Sequence, residues 1–159
     1  MINVLFVCLG NICRSPMAEA VFREEISKAG LSDKVQVDSA GTAAWHTGKQ
    51  PHEGTRTILD KYEITYENMA ARQIKQADFT DFDYIIAMDD QNIKNIKQDL
   101  KVSEKVVFKK LTDLINNPKE INVPDPYYTG DFDYTYELVH EGIMELIKII
   151  KQNIEKSDL

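Results

Sequence analysis

The sequence predicts an α/β domain built on a parallel sheet. Short apolar runs alternate along the chain with segments of helical periodicity, the pattern of strands joined by right-handed helical crossovers. The loop that leaves the first apolar run carries anion-binding residue types, and parallel sheets bind ligands beyond the carboxyl ends of their strands. Length agrees: 159 residues are most simply one domain, spanning 1–159, with a core that needs neither disulfide nor metal.

The elements follow in order. Ile2 to Val7 is an apolar run suited to a buried parallel strand. A helix comes next, with Ser15 as its N-cap, Pro16 at its first position, Gly30 just past its end and Ala18, Phe22, Ile26 and Ala29 as its apolar stripe. Val35 to Ser39 alternates as a short strand and runs into Ala40-Gly41. His46 to Pro51 is a polar loop, and Glu53 to Tyr62 a helix with Ile58 and Leu59 turned inward. Residues 70–81 have no clear period. Phe82 to Met88 is the clearest later strand, followed by a helix capped by Asp89 or Asp90 that ends between Ile96 and Asp99. Val106 to Phe108 supplies a fourth strand, Asn116-Asn117-Pro118 a turn, and Val123 to Gly130 a proline-rich loop. The last helix starts near Asp131 or Asp133. Phe132, Tyr136, Val139, Ile143, Leu146, Ile150 and Ile154 give it one inner face.

Composition narrows the function. A net charge of −7 argues against a general nucleic-acid or anionic-membrane binder, which needs a basic face. The chain opens on a strand with no basic leader, and no apolar run approaches a membrane span, so a cytoplasmic protein is expected. Both cysteines, Cys8 and Cys13, fall in one loop. A bridge between them would constrain little of the unfolded chain, and they read as reduced thiols.

That loop, Cys8-Leu9-Gly10-Asn11-Ile12-Cys13-Arg14-Ser15, is the most informative stretch of the chain. It puts a thiol and a guanidinium over main-chain N–H groups at a helix N-terminus, a place that stabilises a tetrahedral oxyanion and favours a thiolate nucleophile. Arg14 offers a planar fork for two phosphoryl oxygens, which lysine cannot imitate. Gly10 lets the backbone turn its amides inward, and Asn11 tolerates a left-handed conformation. Ser15 is placed to donate to the Cys8 sulfur and help it leave. A lone cysteine is commonly just a small buried hydrophobe. Here the strand end, the arginine six positions on and the helix start together point to chemistry. The nearest histidine, His46, is too distant in sequence for a recognisable metal motif, and no Gly-Lys-Ser/Thr makes this a nucleotide-binding loop.

The run from Val7 to Glu19 resembles the active-site segment of the low-molecular-weight protein tyrosine phosphatases. The resemblance extends to residues 38–42, the Trp45 loop, Phe82 to Asp89 and Asp125-Pro126-Tyr127-Tyr128, nearly the whole chain. It implies a four-stranded parallel sheet in the order 2-1-3-4 with helices on both faces, no metal, and no organic cofactor. It implies phosphotyrosine hydrolysis through a cysteinyl-phosphate, with Cys8 as nucleophile and Arg14 stabilising the transition state. Asp125, on residues alone an ordinary Asp-Pro turn, matches the family's general acid and base. Trp45, Tyr127 and Tyr128 match cleft walls, and the tyrosine pair can itself be phosphorylated in the family. His46 is a candidate for tuning substrate choice.

Ser39 and Asp89 match positions that support the phosphate loop, and Cys13 the partner of a reversible disulfide with Cys8. The chain departs from the family at Met69-Ala70-Ala71-Arg72-Gln73, where a histidine often precedes the Ala-Arg-Gln run. Expected partners are phosphotyrosine proteins or peptides, with phosphate as product and inhibitor and the protein a monomer. The rival activities are a thiol-dependent arsenate reductase, which needs cysteines beyond Cys13, and a phosphocysteine carrier, which needs no acid. A silent phosphotyrosine-binding module is a third, but it normally lacks one of Cys8, Arg14 and Asp125.

Overall fold

In the computed structural model, which describes residues 1–157, four parallel strands lie in the order β2-β1-β3-β4. They are β1 (Ile2–Cys8), β2 (Val35–Gly41), β3 (Tyr84–Ala87) and β4 (Val107–Lys110). The register pairs Val7 with Ala40 on one side and Ala87 on the other, so β1 is central. A central parallel strand is covered on both faces, which is why Val4 to Val7 are all fully buried.

One face of the sheet, carrying Val4, Phe6, Tyr84 and Ile86, packs under α1 (Arg14–Lys28) and α6 (Phe132–Ser157). Phe6 meets Phe22 of α1 edge to face, with ring centroids 5.5 Å apart. Val139, Ile143, Leu146 and Ile150 of α6 are buried, as the three-and-four spacing predicts. Gly142 matters here because a Cβ at that position would collide with Leu111, so only glycine lets α6 settle on the short 3-10 turn at Leu111–Leu114. The other face, with Leu5, Val7 and Ile85, is covered by Phe79 of α3 (Asp78–Asp81) and Ile96 of α4 (Asp90–Asp99). Helix α2 (Glu53–Lys61) contributes Ile58 and Leu59 to the first layer.

Several expectations need correction. Ser15 does not cap α1: the helix begins at Arg14 with Cys13 in the cap position and no side-chain cap, because the Ser15 hydroxyl lies against the Cys8 sulfur. Ala29 is half-buried at the helix end rather than part of a buried stripe, while Gly30 takes the left-handed φ of 71° that ends the helix. The third strand covers only Tyr84–Ala87, shorter than the apolar run 82–88. The segment Val123 to Gly130 is not all loop. It holds one helical turn, α5 (Pro126–Thr129), capped by Asp125 and closed by Gly130 at φ 75°. Of the two candidate caps of α4, Asp89 is the one used, accepting from the Asn92 amide at 2.7 Å. Among the described residues no helix is long and apolar enough to cross a membrane.

Candidate active site

The site forms where β1 ends and α1 begins. The carbonyls of the intervening loop are held from outside. Cys8 O accepts from Thr42 N and Leu9 O from Ala43 N, both at 2.9 Å; Ile12 O accepts from His52 N at 2.7 Å. Cys13 O accepts from the Thr55 hydroxyl at 3.1 Å. With the carbonyls facing out, the peptide planes turn their N–H groups inward, and the amides of residues 9–14 donate to no backbone carbonyl among the described residues. Asn11 sits at φ 56°, the left-handed conformation that makes this nest. Gly10 itself has no positive φ. Its missing side chain instead makes room for His46, whose ring carbon would lie 3.0 Å from a Cβ there.

Cys8 is only 3% exposed and its Sγ lies 3.0 Å from Ser15 Oγ. Ser15 Oγ also accepts from Asn11 Nδ2 at 2.8 Å, and the same amide group reaches Ser39 Oγ at 2.9 Å. Asn11 Oδ1 accepts from the Arg72 amide, and Ser39 donates to Glu19 Oε1 at 2.6 Å. The loop is therefore anchored from behind through Asn11, Ser39 and a buried glutamate. Sequence reasoning did not single out Glu19. Its signal was its place in a helical stretch, 14–22, that is buried on every side. Burial first pushes the Glu19 carboxyl up, and the bonds from Ser39 and Arg23 only partly offset it.

Arg14 is 2% exposed, and three groups place its guanidinium. Nη1 donates to Asp89 Oδ2 at 2.6 Å and to Val123 O at 2.9 Å, and Nη2 to Asp125 Oδ2 at 3.3 Å. Nε is buried and has no hydrogen-bond partner. Burial opposes the Arg14 charge, but Cys8, Asp125 and Asp89 outweigh it and hold the group above its ordinary value. Asp89 thus serves two ends, capping α4 through Oδ1 and fixing Arg14 through Oδ2. Asp125 reaches the site because Val123 N donates to Met88 O at 2.9 Å, tying its loop to the end of β3.

Cys8 and Asp125 border one cleft of about 220 Å³, whose other lining residues are Leu9, Gly10, Ile12, Cys13, Trp45, His46, Tyr127 and Tyr128. The buried Arg14, Asn11 and Ser15 stand behind that lining. Trp45 and Tyr128 are 69% and 72% exposed, standing at the rim as an aromatic clamp would. Tyr127 packs edge to face on both Tyr128 and His52. Ser39 and Asp89 lie outside the cleft and hold its loop from behind through Asn11 and Arg14. Cys13 is a free thiol turned into the packing, pushed up to about 12 by burial, by Cys8 and by Asp125. Among the described residues no cluster of three His, Cys, Asp or Glu could hold a metal ion.

Residues 3–156 match the family model of the low molecular weight phosphotyrosine protein phosphatases. The low molecular weight protein-tyrosine-phosphatase YfkJ of Bacillus subtilis is 47% identical over 152 residues, covering 96% of this chain and 97% of that one. PtpA of Staphylococcus epidermidis is 48% identical over 94% of both chains. The crystal structure of YfkJ superposes with a TM-score of 0.93 over 96% of both chains. A protein tyrosine phosphatase of Entamoeba histolytica does so with 0.88 at 34% identity, over 96% of this chain and 97% of that one. Neither arsenate reduction nor a carrier role is favoured by such neighbours. Identity at this level along nearly the whole length, on the same fold, makes this chain a member of the low molecular weight phosphotyrosine protein phosphatases, enzymes that work through a cysteine-phosphate.

Proposed function

We propose that this enzyme hydrolyses phosphotyrosine in proteins or peptides, with Cys8 as nucleophile, Arg14 as transition-state clamp and Asp125 as acid and then base. One observation carries the reading. Around the Cys8 sulfur stand donors without protein acceptors, the amides of residues 9–14 and the buried Nε of Arg14. Buried donors left unpaired are costly, and the oxygens of a phosphoryl group would satisfy them.

The sulfur attacks phosphorus as the phosphorus–oxygen bond to the ring breaks in line, and protonated Asp125 gives its proton to the departing phenolate. The amides and Arg14 hold the equatorial oxygens where charge develops. Water deprotonated by Asp125 then attacks the phosphocysteine, breaking the sulfur–phosphorus bond and releasing inorganic phosphate. Ser15 Oγ, 3.0 Å from Cys8 Sγ, turns its proton from Ala40 O to the sulfur as negative charge develops there and eases the departure of the thiolate. The fixed contact from Arg14 to Asp125 keeps acid and clamp in register. Trp45, Tyr127 and Tyr128 take the substrate ring between them.

Further parts of the reading rest on chemistry. Phosphate, the product, fits the same donors and should inhibit. When a peroxide oxidises Cys8 to its sulfenic acid, Cys13 is the resolving thiol whose sulfur displaces that hydroxyl as water to form a disulfide, and the thiols of a reducing cytoplasm restore both cysteines. The chain acts as one domain and as a monomer. The test offers the protein p-nitrophenyl phosphate and a phosphotyrosine peptide at mildly acidic pH without metal. Turnover should vanish in Cys8→Ser, fall by about 10²- to 10³-fold in Arg14→Lys, and fall steeply in Asp125→Ala on the peptide, whose phenolate needs the proton most. Turnover that survives Cys8→Ser eliminates the mechanism.

A further inference from the structure

Beside the catalytic cleft, and sharing His46 and Tyr127 with it, runs an open groove of about 490 Å³. Its lining is basic where the chain as a whole is acidic. Lys49 and Arg56 flank it with His46 and His52, and the only carboxylate among its lining residues, Glu53, is exposed. Neither cation is spent on an ion pair. Lys49 Nζ reaches only the ring nitrogen Nδ1 of His46, at 3.5 Å, and Arg56 donates through Nε to Pro51 O at 3.0 Å. No carboxylate lies within ion-pair distance of either among the described residues. In a chain of net charge −7, two cations without ion-pair partners on one groove beside the active site form a local positive field.

The geometry points to a subsite for acidic side chains that flank the phosphotyrosine of a peptide substrate. This inference rests on the phosphotyrosine reading of the cleft. With the phosphotyrosine ring against Tyr127, an extended peptide advances roughly 3.3–3.6 Å per residue, so residues one to three positions away cross the shared wall into the groove. A glutamate or aspartate there meets Lys49 and Arg56. The groove is too open to hold a small anion by itself, which favours a side chain tethered by the phosphotyrosine over free phosphate. Such a tether raises the local concentration of the carboxylate without any new contact. The cations select among substrates and take no part in bond making or breaking.

The test compares two phosphotyrosine peptides of one length, with glutamates at positions −3 to +3 in one and glutamines in the other. Exposed ion pairs are individually weak, so the glutamate peptide should show a kcat/KM roughly three- to tenfold higher, mainly through KM. Raising salt from about 0.05 to 0.5 M should shrink that ratio, because the charges face water. In Lys49→Gln/Arg56→Gln the ratio should fall to near one, and in Lys49→Glu below its wild-type value. Lys49→Glu also covers the case in which loss of the Arg56–Pro51 bond disturbs folding.

p-Nitrophenyl phosphate, which has no flanking residues, reports the catalytic centre in every variant. A ratio of one in the wild type, or a ratio the variants leave unchanged, overturns the subsite. If the wild type turns over no substrate at all, the catalytic reading fails instead. The subsite is then judged by the ratio of dissociation constants of the two peptides on the Cys8→Ser protein, where equal affinities overturn it.

Discussion

At the scale of single residues, Arg14 is costly to the fold and is kept for the site. A guanidinium 2% exposed pays for desolvation through Asp89 and Val123, yet its Nε remains without a partner. Lysine could satisfy Asp89 or a phosphoryl oxygen but not both as a planar fork. Arg14→Lys should therefore lower kcat by about 10²- to 10³-fold while the fold survives, read by steady-state kinetics beside circular dichroism. The acid role proposed for Asp125 makes the cost of losing it depend on the leaving group. Asp125→Asn should cost about 10²- to 10⁴-fold with phenyl phosphate and much less with p-nitrophenyl phosphate, whose phenolate leaves unaided. Equal losses on both substrates would remove Asp125 from the acid role.

Glu19 gives a third residue-scale prediction. Burial raises its proton affinity in the folded chain above that in the unfolded one. In the pH window between those two values the folded state holds more proton, so stability falls as pH rises through the window and grows as pH drops. Glutamine does not titrate. The stability of the wild type relative to Glu19→Gln should therefore improve on going from pH 7 to the acid side of that window, measured by urea unfolding. Parallel stability profiles for the two proteins would contradict the assignment.

At the scale of elements, the phosphate loop is shaped by what lies against it. The end of β2 runs beside it, and a Cβ on Gly41 would stand 2.8 Å from Leu9 O and 3.1 Å from Asn11 N. Gly41→Ala should push the loop off its geometry, destabilise the protein by about 1–3 kcal/mol and depress kcat more than KM. Kinetics and denaturation on one preparation check both. How legible these elements were in sequence follows from what holds them. β1, α2 and α6 could be read because their periodicity is local: apolar runs and threes-and-fours need no distant partner.

The start of α1 could not be read, since Ser15 looks like a cap and its hydroxyl is used by Cys8 and Asn11 instead. Residues 70–81 resisted reading for the same reason. Gly41 bridges to Gln73, and Arg72 is fixed by Asp38, contacts that no local window of sequence contains. The helical turn at 126–129 is too short to show a period. Cys8 and Arg14 were legible because they share one compact motif, whereas Asp125, in an ordinary Asp-Pro turn, was legible only through the family resemblance. Glu19 was not, because its partner Ser39 lies twenty residues on, in another layer.

At the scale of the whole molecule, the catalytic loop is continuous with the core. Cys8 closes β1, which pairs with β2 and β3, and Arg14 opens α1, which packs on the sheet beneath α6. Arg14 further joins β1's loop to Asp89 after β3 and to Val123 far along the chain. Unfolding the domain therefore destroys the anion site, and an anion that binds there must stabilise the whole fold. Linkage sets the size: a ligand at a hundredfold excess over its dissociation constant adds about 2.7 kcal/mol. For a domain of this length that corresponds to a rise in Tm of roughly 5–10 °C. Inorganic phosphate should produce such a rise in the wild type, growing with the logarithm of its concentration as a single site requires, whereas chloride at matched ionic strength should not. Arg14→Lys should blunt the response, because the fork that closes on two oxygens is gone. A melting temperature that responds alike to phosphate and chloride would mean that the ring of amides around Cys8 does not hold the anion for which its geometry is suited.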